Sequence, residues 1–94
     1  MHVRWTERAA SRLSEIKEHI AVDNPRAALR QVRLIVAATL RLGTFPNSGK
    51  RGRVDGTREL VVPNTPYIIP YRITHDAIHI LSIEHGAREW PDHF

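Results

Sequence analysis

The sequence predicts an α+β fold of order β-α-α-β-β-β, with a helical hairpin packed on a small, mainly antiparallel sheet. Three observations predict it. Two apolar stripes at helical spacing occupy the first half, an Asp23-Asn24-Pro25 break separates them, and β-branched and aromatic residues concentrate beyond Gly56.

Val3–Trp5 reads as a short strand, and Thr6 is placed to cap the helix that follows. Ala9, Leu13, Ile16 and Ile20 then recur at spacings of 4, 3 and 4, one stripe on a helix of roughly four turns. Arg8, Arg12, Glu15 and Glu18 fall away from that stripe and are expected to face water. Asn24 is an N-cap, with Pro25 at the first helical position, where a missing N–H costs nothing. In the second helix Ala28, Val32, Ile35, Val36, Thr39 and Leu42 line one side, and Gly43 is the expected terminating residue. So short a connection makes the pair an antiparallel hairpin.

Thr44–Gly52 is loop by composition, holding Pro46, Asn47, Ser48, Gly49 and Gly52. Arg58–Val62, Tyr67–Thr74 and Ala77–His85 read as three strands. Pro63-Asn64-Thr65-Pro66 makes the first turn and His75-Asp76 the second, so the strands form an antiparallel meander. Tyr67, Ile69, Tyr71 and Ile73 share one parity and are expected beneath the helices. Pro70 cannot donate to a ladder, which predicts a bulge or one unpaired edge there. Trp90-Pro91 ends regular structure, and the residues after it are expected to be a loose tail or a docked aromatic.

A chain of 94 residues is expected to be one domain, residues 1–94, since typical domains run to ~100–150 residues. The absence of cysteine excludes a disulfide framework, thiolate metal sites and a cysteine nucleophile. No apolar run approaches the ~20 residues needed to span a bilayer, and no apolar stretch follows Met1–Arg4, so a cytoplasmic location is expected. Charge is uneven. Residues 1–49 carry eight Lys/Arg against four Asp/Glu, whereas residues 50–94 are balanced at six against six. A pI of 10.3 suits an anionic partner, nucleic acid or an acidic protein surface, and equally suits a solvated arginine-rich exterior.

Gly49-Lys50-Arg51-Gly52-Arg53 lacks the spacing of a nucleotide-binding P-loop and precedes a strand rather than a helix. It reads as a basic loop on a nucleic-acid backbone or as a solvated turn. His75, His79 and His85 do not have the convergent spacing of a metal site, and neither metal nor cofactor is expected. His85 ends the last strand near Glu84 and Arg88, where an imidazole suits acid–base work. Arg58, Arg72 and Arg88 lie on strands or strand ends. Together at one sheet edge they would suit a phosphoryl transition state or an acidic protein patch; apart, they would be salt bridges with Glu59, Glu84 or Glu89. No exposed aromatic ladder for stacking on bases is legible.

Taken together, Asn24-Pro25 with Ala27-Ala28, Phe45-Pro46 with Gly49, and Gly52-Arg53-Val54 with Gly56-Thr57-Arg58-Glu59-Leu60 are familiar. So are Tyr67-Ile68-Ile69 with Tyr71-Arg72, and Ile80-Leu81 with Ile83, then His85-Gly86-Ala87-Arg88-Glu89-Trp90-Pro91. In this order, over nearly the whole chain, they resemble the RelE/ParE superfamily of toxins from prokaryotic type II toxin–antitoxin modules. The resemblance implies a small toxin silenced by a cognate antitoxin in a hetero-oligomer. Its ParE-like branch poisons DNA gyrase by binding. Its RelE-like branch cleaves messenger RNA in the ribosomal A site with strand cations and a carboxyl-terminal histidine or tyrosine.

On the nuclease reading the catalytic candidates here are His85, Arg58, Arg72 and Arg88. The tyrosine that should follow the histidine is Gly86, and no tyrosine occurs after Tyr71. The helical hairpin and the Asn24-Pro25 junction look more like the ParE-like branch. On that reading the expected target contacts are Lys50, Arg51, Arg53 and Arg58, with gyrase as partner; ribosome and mRNA are the alternative.

Overall fold

A computed structural model describes residues 1–94. Strand β1 (His2–Trp5) leads into helices α1 (Glu7–Asp23) and α2 (Pro25–Thr44), followed by β2 (Lys50–Arg51), β3 (Arg58–Val61), β4 (Tyr67–Ile73), β5 (Ala77–Ile80) and β6 (Glu84–His85). The sheet runs β1-β5-β4-β3-β2, and β6 pairs with β4 beyond the end of β5. All pairings are antiparallel except β1 with β5, which is parallel.

Both helices start where local chemistry directs. Thr6 Oγ1 accepts from the Ala9 N–H at 3.1 Å and also donates to the Ile80 carbonyl at 2.9 Å, so the cap ties α1 to the sheet. Asn24 Oδ1 accepts from the Ala27 N–H at 3.0 Å, with Pro25 opening α2. The hairpin buries Ala9 and Ile16 from α1 and Ala28, Ile35, Ala38, Thr39 and Leu42 from α2. Against them lie Ile69, Tyr71, Ile78, Ile80 and Ile83, with Tyr67 and Ile73 partly buried beside them, as the strand parity required.

Four details depart from the sequence reading. Gly43 does not end α2; the helix runs through Thr44 and is capped at Phe45. A Cβ at Gly43 would sit 2.9 Å from the Met1 carbonyl, so this glycine lets β1 cross the last turn of α2. Lys50–Arg51, expected as loop, pairs with Arg58–Glu59 as an edge strand. Arg12 does not face water freely: its Nε is buried and lies 3.6 Å from Glu84.

The expected strand Ala77–His85 is broken at Leu81–Ile83, and Pro70 explains where. The Pro70 carbonyl accepts from the Leu81 N–H at 2.9 Å, so its donor-less nitrogen faces the same side of β4. There the ladder has nothing to bond, and β5 gives way to β6.

Ile35, fully buried between the helices and the sheet, should be costly to truncate. Ile35→Ala is expected to lose ~2–5 kcal/mol in denaturant melts. Val22→Ala, at an 83% exposed position, should change stability by under ~0.5 kcal/mol.

Candidate functional site

Tyr71 sits at the centre of β4 with no exposed surface. Its hydroxyl accepts from the Gly49 N–H at 2.9 Å and donates to the Pro46 carbonyl at 2.7 Å. Gly49 has no room for a side chain, because a Cβ would lie 2.6 Å from that oxygen. Burial raises the Tyr71 phenol above its ordinary pKa, and the Gly49 amide and the Arg58 charge only partly oppose it. Arg58 completes the fastening by donating to the Gly49 carbonyl at 2.9 Å and to Asn47 Oδ1 at 3.3 Å. Arg58 is therefore a strut of the 46–49 loop.

Arg53 is also engaged inside the molecule. Glu59, 2% exposed, accepts from Arg53 Nε at 3.0 Å, Arg53 Nη2 at 3.1 Å and the Arg53 backbone N–H at 2.7 Å. The Trp90 ring lies on the Arg53 guanidinium at 3.5 Å, and its indole N–H donates to the His85 carbonyl. This is the docked form of the carboxyl-terminal aromatic. Burial of Glu59 works to raise its pKa. The Arg53 hydrogen bonds, together with the charges of Arg53 and Lys50, outweigh it and hold the carboxyl below the ordinary glutamate value. Of the four expected target contacts, only Lys50 and Arg51 are exposed cations with neither an ion pair nor a side-chain hydrogen bond.

The nuclease candidates do not converge. His85 pairs with Tyr67 at one end of β4, while Arg58 and Arg72 lie towards the other, about 13 and about 16 Å away along the strand. Arg72 also has the opposite parity to Tyr67 and points away from the helices, donating to the Gly56 carbonyl at 3.2 Å. Only Arg88 joins His85. The two line a cleft of about 290 Å³ with Arg12, Glu15, His19 and Tyr67. Glu15 pairs with Arg12 at 2.9 Å, and Glu84 lies 3.6 Å from it, so Arg12 is shared between two carboxylates. None of the three arginines uses the carboxylate partners expected for it: Glu59 is taken by Arg53 and Glu84 lies against Arg12.

A different surface has the character of an interface. The outer face of α2 presents Arg26, Arg30, Arg33 and Arg41 with no ion-pair partner. Interleaved with them are exposed Leu29 and Leu40, with Phe45 just beyond the helix end. Three shallow depressions of about 470, 210 and 340 Å³ follow one another along this face, joined at Leu34 and Arg41. Leu60, Val62 and Pro63 form their far wall. These α2 residues are not among the sequence-derived candidates. The signal for them was a second stripe, Arg26, Leu29, Arg33, Leu40 and Arg41, opposite the buried one.

Residues 3–90 match the family described as the ParE toxin of the type II toxin–antitoxin system parDE. The chain belongs to this toxin family. It is 48% identical over 89 residues to the Sinorhizobium fredii protein Y4kP, which is named as a toxin, covering 95% of this chain and 92% of that one. It is 34% identical over 86 residues to toxin RelE2 of Caulobacter vibrioides, covering 92% and 96%. A solved structure of the chromosomal ParDE system from P. aeruginosa superimposes with a TM-score of 0.85 at 33% identity, covering 90% of this chain and 95% of that one. The β-α-α-β hairpin-on-sheet architecture is thus the ParE toxin fold.

Two stability measurements follow from these contacts. Tyr71→Phe would strand the Gly49 N–H and the Pro46 carbonyl and is expected to cost ~1–3 kcal/mol by urea unfolding. For Glu59, the folded pKa lies below the unfolded one. Its stabilisation is therefore complete above about pH 4.3 and is lost as pH falls through the lower folded value. Unfolding followed from neutral to acid pH should show this loss in wild type and a flatter acid profile in Glu59→Gln.

Proposed function

We propose that this ParE-family toxin inhibits growth by binding an essential enzyme, DNA gyrase, and is neutralised by an acidic antitoxin seated on the outer face of α2. The observation that carries a binding mode is the separation of His85 from Arg58 and Arg72. A ribonuclease must activate a 2′-hydroxyl, stabilise charge on phosphorus oxygens and protonate the leaving oxygen within one reach. Here the histidine and the strand cations occupy different ends of β4, and Arg72 also lies on the opposite face. Gyrase is favoured by the ParE-like features of the hairpin.

The antitoxin reading rests on the chemistry of α2. Four unpaired arginines alternating with exposed leucines match an amphipathic helix with acidic flanks, which would gain apolar contact and charge complementarity together. A partner disordered before binding can wrap such a surface despite the ordering cost. The resulting complex is a toxin–antitoxin hetero-oligomer.

Two experiments test this function. Leu29→Asp with Arg33→Glu should weaken binding of the antitoxin encoded beside the toxin by at least about tenfold, or ~1.4 kcal/mol, in calorimetry. Undiminished affinity would remove the antitoxin from this face. Separately, wild type and His85→Ala are induced in cells while translation and DNA breakage are followed. Early DNA breaks with translation initially intact, and toxicity surviving His85→Ala, are expected. Rapid loss of translation with cut A-site codons, reduced about 10²–10⁴-fold by His85→Ala, would instead establish the ribosome-dependent RNase.

A further inference from the structure

We infer that the open face of the sheet holds a stretch of duplex DNA backbone through Arg4, His79 and Arg72. The strand register places these three side by side. Arg4 of β1 is the partner of His79 of β5, and His79 is the partner of Arg72 of β4. Residues paired in this way project from the same face, here the one away from the helices, because Tyr71 and Ile80 next to them are buried in the core. His2, two residues before Arg4 and exposed, extends the row.

Folding does not explain this row. Arg4 and Arg72 flank His79 from the two neighbouring strands, where opposite-charge partners would be the stabilising choice for each arginine. Neither Arg4 nor Arg72 has a carboxylate within 4.0 Å. The groups that touch the row are neutral: Arg72 donates to the Gly56 carbonyl, and His79 lies 3.2 Å from the Thr74 hydroxyl, through which alone it reaches Asp76. By contrast, Arg53, on the covered half of the same face, is held by Glu59 and Trp90. A local rule broken on one half of a face and respected on the other points to a ligand for the first half.

The row favours a phosphate backbone over other anions. Three adjacent strands span about 10 Å, the axial reach of about three phosphates on one strand of a duplex. A protein interface would need an apolar centre; of the large exposed apolar residues Val61 alone is on this face, at β3, while Leu29, Leu40 and Phe45 lie on or beside α2. A single-stranded ligand would need stacking aromatics. Trp5 is directed to the core side, and Trp90 is already stacked on Arg53. A toxin whose target is an enzyme on DNA would have use for such a face. The inference rests on the gyrase reading only for that use, and its test contains no gyrase, so the two fail separately.

The test is fluorescence anisotropy of a short mixed-sequence duplex DNA titrated with the purified toxin over a range of salt. Binding of wild type at about 10⁻⁴–10⁻⁶ M is expected, weakening steeply with salt. Arg4→Gln with Arg72→Gln should weaken it at least about tenfold and flatten the log–log salt slope by about 2. The charge-matched control Arg30→Gln with Arg33→Gln, on α2, should stay within about twofold. Because Arg72 also holds the Gly56 carbonyl, Arg4→Gln alone reports the effect without touching that contact, and should flatten the slope by about 1. Absent duplex binding, an equal loss in the α2 control, or tighter row-dependent binding of single-stranded RNA or of polyglutamate would each overturn the inference.

Discussion

The hydroxyl of Tyr71 is the contact on which the division of labour in this molecule depends. Central in β4 and shut off from water, it satisfies the Gly49 amide and the Pro46 carbonyl, two backbone groups that the loop cannot pair by itself. That fastening sets the exit of α2 against the sheet, brings Lys50–Arg51 alongside β3 and draws Arg58 inward onto the same loop. A residue whose parity marks it as core thus organises a segment whose composition reads as free loop.

The arginines then fall into two populations. Arg53 and Arg58 are internal struts, and Arg12 lies between Glu15 and Glu84 at the rim of the His85 cleft. Arg26, Arg30, Arg33 and Arg41 on α2, and Arg4 on the sheet face, have no acidic partner. Arg12, Arg53 and Arg58 cannot offer charge to another molecule without first breaking a contact of the fold, whereas the second population can. That second population lies on the outside of the hairpin and on the open half of the sheet.

Local signals in the sequence carried much of this fold. Thr6 and Asn24 cap their helices through side-chain bonds three residues away, and such short-range chemistry is legible in a linear string. Pro70 announced a conflict at its own position, and the gap at Leu81–Ile83 is its resolution. What was illegible is long-range. Gly43 resembles a helix terminator until Met1, 42 residues away, is seen resting on it. The parallel pairing of β1 with β5 joins the two ends of the chain. The Arg53–Glu59 pair needs the turn between them and a tryptophan arriving from the far terminus. For the same reason the basic cluster at 50–58 does not show in the sequence that Arg53 and Arg58 are engaged within the molecule while Lys50 and Arg51 are not.

The central claim is that the toxin meets its antitoxin through the outer face of α2 and the adjoining β3 wall, while Arg53 and Arg58 of the 50–58 cluster serve the fold. Hydrogen exchange of the toxin, free and in complex with its cognate antitoxin, tests this most directly. The account predicts slowed exchange along residues 29–41 and 60–64, with residues 50–58 unchanged. Slowing concentrated at 50–58 or around the His85 cleft, with α2 unaffected, would contradict it.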